Sequence, residues 1–283
     1  MDGNDSKSFR RFGPWAVITG GSEGLGAEFA RQIAARGLNV ALVARRSDVL
    51  QGFCTELRRQ SEVDILPITL DLAAPGAVES LCTRLSGREV GLLVCSAAAS
   101  PLGDYLDVPA ADHSRLVDLN CKVPALLSWE LGRSMASRGR GGIILVSSMA
   151  SFQGTGFVAH YAASKAYLRV LAEGLWNELH GLGVDVLACC PGLVRTPTLF
   201  DGHPVRPAWL ASPLMDCAPV VKQTLGALGR RPVVVPGAAN RLSSWITRRL
   251  LPQRAATALA SRGTRAMYPQ SRPRLSGRTR SPS

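Results

Sequence analysis

A tyrosine and a lysine, Tyr161 and Lys165, lie four residues apart in a segment with helical apolar spacing. Side chains at positions i and i+4 share one face of a helix, so the ammonium is expected near the phenol. A nearby positive charge favours the phenolate and lowers the pKa of a tyrosine from its usual value of about 10. The pair therefore predicts a general acid or base, against the alternative of a packed tyrosine beside a solvated lysine. The chain has four lysines and 29 arginines, which favours a specific role for this lysine.

A glycine-rich stretch at 19–26 follows an apolar run that predicts a buried strand and precedes a predicted helix. Glycine at such a turn lets the backbone approach a pyrophosphate, and a helix N-terminus offers free N–H groups and a favourable dipole. The position between strand and helix favours a nucleotide-binding turn over an ordinary glycine turn. The candidate cofactor-binding residues of this turn are Gly20, Ser22, Gly24, Leu25 and Gly26.

Two serines, Ser147 and Ser148, follow a predicted strand at 143–146. Ligands of open parallel sheets bind beyond the carboxyl ends of the strands, where a hydroxyl can polarise a carbonyl group. A serine in this position is more often a turn residue or a helix cap, and that alternative stays open.

Short apolar runs alternate with helical patterns along most of the chain, the longest of the predicted helices lying at 112–138 and 158–180. This alternation predicts an α/β fold, a single Rossmann-type doubly wound parallel sheet with helices on both faces. The expected divisions are an N-terminal extension at 1–13, a dinucleotide-binding and catalytic domain at 14–240 with a substrate loop at about 191–213, a basic helical segment at 241–270 and a disordered tail at 271–283.

In this order, the glycine turn, the strand-end serine and the Tyr-x3-Lys pair resemble the short-chain dehydrogenase/reductase family in its Tyr-x3-Lys form. The apolar C-terminal segment with its arginines resembles that of the hydroxysteroid and 3-ketoacyl reductase branch. The resemblance covers about residues 14–236, and Tyr161 follows Ser148 by 13 residues, as the family pattern requires. The further matches are Asn120 within Asp-Leu-Asn, Asp71 and Leu72 after the third strand, and Pro191, Gly192, Val194 and Thr196 in a Pro-Gly-x-Val-x-Thr segment.

The resemblance implies an NAD(P)-dependent enzyme that interconverts a carbonyl and a secondary alcohol. It assigns proton transfer to Tyr161, a hydrogen bond to the reacting oxygen to Ser148, and a water of the proton relay to Asn120. Lys165 would hold the ribose and depress the pKa of the tyrosine. The resemblance also implies that Asp71 meets the adenine, and that Thr196 and the backbone near Val194 fix the carboxamide. An epimerase or dehydratase on the same scaffold and a non-catalytic nucleotide-sensing regulator are the alternatives.

Two departures bear on the cofactor site. The stretch at 95–98 reads Cys-Ser-Ala-Ala where the family usually has Asn-Asn-Ala-Gly, so the hydrogen bonds of the first asparagine are lost. After the second predicted strand, Ala44-Arg45-Arg46 offers no carboxylate to a ribose 2′-hydroxyl, and Arg45 can pair with a 2′-phosphate. We therefore expect NADP rather than NAD, although Glu23 stands where phosphate-preferring relatives often carry a base.

The formal charge of +12 is unevenly distributed. Ten arginines and no acid lie in 241–283, so residues 1–240 carry 23 basic and 21 acidic side chains. A nearly neutral body argues against nucleic-acid binding.

The seven cysteines lack metal-ligand spacing and predict reduced thiols and no metal site. A polar N-terminus and the absence of an apolar run long enough to cross a bilayer predict a cytoplasmic protein.

Three features of the sequence predict what the protein contacts. The two long predicted helices are apolar on more than one side, which predicts a homodimer or homotetramer. The segment 241–260 alternates arginines with apolar residues. It would rest on an anionic membrane surface, or it would fold over the substrate mouth and pack against its own body or a partner subunit. Pro252 and the mostly small residues after it favour the second arrangement. The substrate loop favours a lipophilic carbonyl compound, through Leu193, Leu199, Phe200, Val205, Trp209 and Leu210.

Overall fold

A seven-stranded parallel sheet forms the centre of the molecule in the computed structural model, which describes residues 9–197 and 214–268. The strands are β1 (Trp15–Thr19), β2 (Asn39–Ala44), β3 (Ile65–Thr69), β4 (Val90–Cys95), β5 (Gly141–Val146), β6 (Val184–Cys189) and β7 (Val233–Val234). Their order across the sheet is β3-β2-β1-β4-β5-β6-β7, and each neighbouring pair is parallel. The predicted Rossmann-type sheet is confirmed.

Helices cover both faces of this sheet. Those of the described residues are α1 (Gly24–Ala34), α2 (Ser47–Gln60), α3 (Ala77–Arg84), α4 (Ala110–Val117), α5 (Val123–Ser137), α6 (Ala159–His180), α7 (Cys217–Ala227), α8 (Ala238–Arg249) and α9 (Gln253–Met267). Phe29 of α1 and Val221 of α7 belong to the core on one face, and Leu81 of α3 and Leu127 of α5 to the core on the other. Because strands buried on both sides carry few polar residues, their apolar runs are readable in the sequence.

The carboxyl ends of all seven strands lie at one edge of the sheet because the strands are parallel. The strand order reverses beside β1, since β2 lies on one side of it and β4 on the other. Ligands of open α/β sheets bind in the crevice at such a point. The glycine turn follows β1, Ser148 follows β5 and Pro191 follows β6, so the fold gathers the predicted motifs at this edge.

The predicted helix at 112–138 is interrupted. α4 ends at Val117, a π-helical turn spans Asp118–Lys122, and α5 begins at Val123. Pro124 has no N–H to donate to the carbonyl of Asn120 four residues earlier, so an unbroken α-helical ladder cannot form here. The irregularity therefore lies at Asn120, a predicted site residue.

Both ends of the domain differ from the predicted boundaries. Phe9 and Phe12 are buried in the core, so residues 9–13 belong to the folded body rather than to an extension. α8 begins at Ala238, three residues before the predicted boundary at 241, and its residue Asn240 is buried. The predicted tail at 271–283 and residues 198–213 of the predicted substrate loop lie outside the described residues.

All seven cysteines are free thiols. Within residues 9–197 and 214–268, no three His, Cys, Asp or Glu side chains are grouped as metal ligands. No helix in the same ranges has both the length and the hydropathy that crossing a bilayer requires.

Candidate active site

Ser148, Tyr161 and Lys165 lie together at the carboxyl edge of the sheet. Ser148 follows β5, and the four-residue spacing on α6 places the other two on the same side of that helix. The Ser148 hydroxyl lies beside the Tyr161 phenol, where as a hydrogen-bond donor it lowers the pKa of that phenol. Nζ of Lys165 lies 5.5 Å from the centroid of the tyrosine ring. The structure thus groups the three residues for which the sequence predicts proton chemistry.

The end of β5 holds the lysine in place. Nζ of Lys165 donates a hydrogen bond to the carbonyl of Val146 at 2.8 Å, and the Ser147 hydroxyl donates one to the carbonyl of Lys165 at 2.7 Å. Oγ of Ser148 also accepts a hydrogen bond from the N–H of Ala150 at 3.2 Å, capping a short 3-10 turn. Ser148 therefore caps this turn, as the alternative interpretation of the sequence expected, and also contacts the phenol.

Burial sets the protonation of both site groups. It raises the pKa of Tyr161 to about 12, which the hydrogen bond from Ser148 opposes and the nearby Tyr268 reinforces. It lowers the pKa of Lys165 to about 8, against the influence of surrounding cysteines. The expected lowering of the tyrosine pKa is therefore not observed here, because burial of the phenol prevails. At neutral pH the phenol carries its proton and the ammonium is charged.

Asn120 is fully buried, and its side chain is committed to the protein. Oδ1 accepts a hydrogen bond from the N–H of Ala99 at 2.7 Å, while Nδ2 donates to the carbonyl of Ala99 at 2.9 Å and to Oγ of Ser164 at 3.0 Å. The side chain therefore links the loop after β4 to α6. The backbone carbonyl of Asn120 receives no hydrogen bond from Pro124, which has no N–H. This carbonyl, and not the side chain, would therefore contact a water of the proton relay.

The glycine turn packs tightly against the sheet edge. A Cβ on Gly26 would lie 2.0 Å from the carbonyl oxygen of Gly20, so no side chain fits there. Gly24 has a φ of +54°, and a Cβ on it would lie 2.9 Å from Cγ2 of Thr196. Both positions therefore require glycine for steric reasons, and they lie in the first turn of α1, where backbone N–H groups favour a phosphate.

A cavity of about 680 Å³ collects most of the predicted site residues, a volume typical of cofactor and small-molecule sites. The predicted residues that line it are Gly20, Ser22, Gly24, Leu25, Arg45, Asp71, Leu72, Ser148, Tyr161, Lys165, Pro191, Gly192, Val194 and Thr196. Two predicted residues do not line the cavity: Gly26 packs against Gly20, and Asn120 is buried behind the wall.

The unusual loop at 95–98 is held by residues other than the missing asparagine. Oγ1 of Thr19 accepts hydrogen bonds from the N–H groups of Ser96 at 3.1 Å and Ala97 at 3.2 Å. Asn120 holds the next residues through Ala99. The loop is therefore fixed at the cavity wall, although the sequence departs from the family pattern there.

Three charged residues surround the end of β2. Arg46 forms an ion pair with Glu23, which neutralises the carboxylate that would oppose a bound phosphate. Arg45 lines the cavity and forms no ion pair within the described residues. The guanidinium of Arg45 is thus available to an anion in the cavity.

Asp71 is paired with a residue that the sequence did not single out. Nη2 of Arg115 donates to both carboxylate oxygens of Asp71, at 2.9 and 3.0 Å. Partial burial raises the pKa of Asp71, but hydrogen bonds from Arg115 and the N–H of Ala73 and the charges of Arg115 and Arg45 hold it below its usual range. The contact joins residues 44 positions apart, so no local pattern indicates it.

α8 and α9 form a wall of the same cavity, to which Ser244, Thr264 and Tyr268 contribute. The N–H of Gly156 donates to Oγ of Ser261 at 2.8 Å, which ties α9 to the segment before α6. The ring of Tyr268 stacks on that of Phe157 with centroids 5.9 Å apart. The sequence predicts a helix over the substrate mouth, but no motif marks Tyr268 as a neighbour of Tyr161.

Comparisons with known proteins find a matching family and named relatives. Residues 14–201 match the family described as short chain dehydrogenase, a range that includes every predicted site residue. A 7beta-hydroxysteroid dehydrogenase of Collinsella aerofaciens is 29% identical over 233 residues, covering 82% of this chain and 89% of that protein. A very-long-chain 3-oxoacyl-CoA reductase of Pyricularia oryzae is 32% identical over 192 residues, covering 66% and 58%.

Solved structures are similar over most of their length. One from work on 7beta-hydroxysteroid dehydrogenase stereoselectivity superposes with a TM-score of 0.81 at 26% identity, covering 88% of this chain and 98% of that one. A short-chain dehydrogenase from Sphingobium yanoikuyae in complex with NADPH has a TM-score of 0.71 at 27% identity, covering 79% and 87%. The structural similarity therefore covers most of this chain.

Proposed function

The chain belongs to the short-chain dehydrogenase/reductase family, and we propose that it interconverts a carbonyl and a secondary alcohol on a lipophilic small molecule with NADP(H). Membership of this family makes the protein an oxidoreductase. The grouping of Ser148, Tyr161 and Lys165 at the cavity that the glycine turn also lines is the observation that carries the proposal.

The cavity fits a nicotinamide dinucleotide. Gly24 and Gly26 themselves place no side chain at the N-terminus of α1, where the helix dipole favours a pyrophosphate. Asp71 and Leu72 would lie by the adenine, Lys165 by the ribose, and Thr196 with the backbone of Val194 by the carboxamide. When bound, the cofactor supplies or accepts the hydride.

Tyr161 transfers the proton in this proposal. In the direction of reduction its phenol donates to the carbonyl oxygen, to which Ser148 donates a hydrogen bond. The raised pKa keeps the proton on the phenol at neutral pH, so the acid form is ready. The charge of Lys165 stabilises the phenolate that remains, and the carbonyl of Asn120 holds a water through which the phenol regains its proton.

The preference for NADP over NAD rests on the end of β2. Arg45 is available to a 2′-phosphate, and the pairing of Glu23 with Arg46 removes the nearest opposing charge. A guanidinium recognises a phosphate through charge-assisted hydrogen bonds. The NADPH complex of the structural relative is consistent with this preference.

Apolar side chains in the cavity wall favour a lipophilic substrate. Leu102, Phe152, Leu193, Leu259 and Met267 line it, and the last two come from α9. The relatives are named for a hydroxysteroid and for a very-long-chain 3-oxoacyl-CoA, whose steroid nucleus and acyl chain are large and apolar. We therefore propose a bulky ketone and the corresponding secondary alcohol as the substrate pair.

The assembly proposed is a homodimer or homotetramer. Trp129 of α5 and Val170 of α6 are both 55% exposed, although each is large and apolar. Apolar side chains grouped on an outer surface favour burial against another subunit. The outer sides of α5 and α6 would form that contact.

A panel of ketones tests the function. NADPH and NADH would each be mixed with the protein and a steroid ketone, a 3-oxoacyl thioester or a short polar ketone, and the nicotinamide absorbance followed. We expect turnover with NADPH and at least one lipophilic ketone. A protein that consumes neither nucleotide with any ketone, and forms neither from the matching alcohols, would contradict the proposal.

A further inference from the structure

α8 carries its apolar residues on the side that faces away from the protein. Asn240 and Ser244 are 1% and 7% exposed, whereas Leu242, Trp245 and Leu250 are 59%, 55% and 61% exposed. In an ordinary surface helix the apolar stripe faces the core and the polar residues face water. The amphipathicity of α8 is therefore inverted relative to the body on which it lies.

The inner, polar face of α8 has its own partners. Nδ2 of Asn240 donates to the carbonyl of Pro236 at 3.0 Å, and Ser243, Ser244 and Thr247 line the cavity. This face is therefore committed to the fold and to the cavity wall. Rotating the helix to bury Leu242 and Trp245 would remove these contacts, so the outward position of the apolar residues follows from the fold.

α8 and α9 carry basic side chains and no acidic ones. Residues 241–268 contain six arginines and no Asp or Glu, and all six arginines are exposed: Arg241, Arg248, Arg249, Arg254, Arg262 and Arg265. Arg265 is paired with Asp104, while Arg249 and Arg254 form no ion pair within the described residues. We call the exposed Leu242, Trp245 and Leu250, together with Arg249 and Arg254, which are unpaired in the part of the chain that the structure describes, the α8 surface.

The charge of the α8 surface favours an anionic membrane over a second copy of the chain as its partner. A second copy related by a two-fold axis would place the same basic patch opposite itself, with no acid from 241–268 to pair with it. A bilayer with anionic headgroups matches both features, because Leu242 and Trp245 enter the interface and the arginines contact the headgroups. We propose that the α8 surface docks this protein on anionic membranes.

This docking goes beyond the proposed function and has a consequence for it. The inner face of α8 and the helix α9 form a wall of the cavity, so the membrane would lie directly behind the part of the cavity that α9 covers. A lipophilic ketone would then reach the cavity from the lipid phase. The binding itself does not depend on the reaction, so its test does not depend on turnover.

Vesicle co-sedimentation of the full chain tests the proposal. The vesicles would be phosphatidylcholine alone or phosphatidylcholine with phosphatidylserine, at about 150 mM salt, where charges within about 8 Å of one another still interact. We expect the protein to sediment with the phosphatidylserine vesicles and to remain in solution with phosphatidylcholine alone. Higher salt should weaken the sedimentation.

Two double variants separate the contributions to binding. L242S/W245S should lower the partition coefficient at least about ten-fold, since it removes two apolar side chains from the interface. R249Q/R254Q should lower it about thirty-fold, the effect of losing two basic residues near an anionic surface. The matched controls are L182S, which removes an exposed leucine elsewhere, and R59Q/R84Q, which removes two exposed arginines elsewhere. Neither control should change binding.

The folding of these variants is checked by circular dichroism and thermal unfolding, which should match those of the wild type because all the substituted residues are exposed. Wild-type protein that stays in solution with phosphatidylserine vesicles would overturn the proposal. Equal losses in test and control variants would also overturn it. A fall in molar mass for L242S/W245S, without vesicle binding by the wild type, would assign the surface to a second copy of the chain instead.

Discussion

Nζ of Lys165 lies 5.5 Å from the centroid of the Tyr161 ring while it donates a hydrogen bond to the carbonyl of Val146 at 2.8 Å. The lysine is thus placed by β5 and acts on the tyrosine through its charge across the ring. Burial disfavours the charged form of each group, raising the pKa of Tyr161 and lowering that of Lys165, whereas an ammonium near a phenolate favours both charged forms. The protonation of the two residues should therefore be coupled.

The rate of reduction should depend on pH through this pair. Lys165 has a pKa lowered to about 8 and Tyr161 one raised to about 12, so the lysine loses its proton first as the pH rises. We expect kcat/KM for reduction with NADPH to be constant below a pH of about 8 and to fall above it, as protonation states of the free enzyme govern that constant. A profile that stays flat to a pH of about 10 would be inconsistent with this.

Replacing the lysine should affect cofactor and rate together. In Lys165→Ala we expect a dissociation constant for NADPH about ten-fold or more higher, since a hydrogen bond from a charged group is lost, and a lower kcat. Nucleotide fluorescence titration and initial rates measure the two effects. Lys122→Ala, at an exposed lysine of the neighbouring π-helical turn, is the control. An unchanged NADPH affinity in Lys165→Ala would exclude the ribose contact.

Arg45→Asp should shift the cofactor preference toward NADH. The change removes a charged partner of the 2′-phosphate, an effect of about 1.5–3 kcal/mol, and adds repulsion. A loss of that size corresponds to a fall of about ten-fold or more in the ratio of kcat/KM with NADPH to kcat/KM with NADH. Arg59→Asp, at an exposed arginine near the end of α2, should leave the ratio unchanged. Equal ratios in wild type and Arg45→Asp would count against Arg45 as the phosphate partner.

Charges on the outer sides of α5 and α6 should dissociate the assembly. Wild-type protein is expected at two or four times the mass of one chain in light scattering at micromolar concentration. In W129E/V170E each glutamate would be buried without a partner at the subunit contact, so the mass should fall. Leu182→Glu places the same charge at an exposed leucine outside these helices and should not change the mass. A wild-type monomer would refute the assembly.

The sequence was informative where the structure repeats a local pattern. Buried strands such as β5 are continuous apolar runs. The tight turn needs glycine at Gly24 and Gly26 for steric reasons, and the glycines themselves mark the turn in the sequence. The contact between Ser148 and Tyr161 follows from the resemblance rather than from any local pattern, since the two residues come from different elements.

Other features depend on long-range contacts that no local pattern contains. The pairing of Arg115 with Asp71 and the position of Tyr268 beside the site both arise from packing of distant elements. The raised pKa of Tyr161 depends on burial, which the four-residue spacing to Lys165 does not reveal. The interruption at Asn120 was readable in principle, because Pro124 lies within the predicted helix.

Single-turnover reduction by Tyr161→Phe tests the central claim most directly. The variant keeps the ring and removes the phenolic proton, so its rate should fall by about 10²–10⁴, the usual contribution of a general acid, while NADPH binding stays intact. Tyr167→Phe, on the same helix but outside the cavity, should keep the wild-type rate. A Tyr161→Phe rate above about a tenth of the wild-type value would contradict the assignment of Tyr161 as the proton donor.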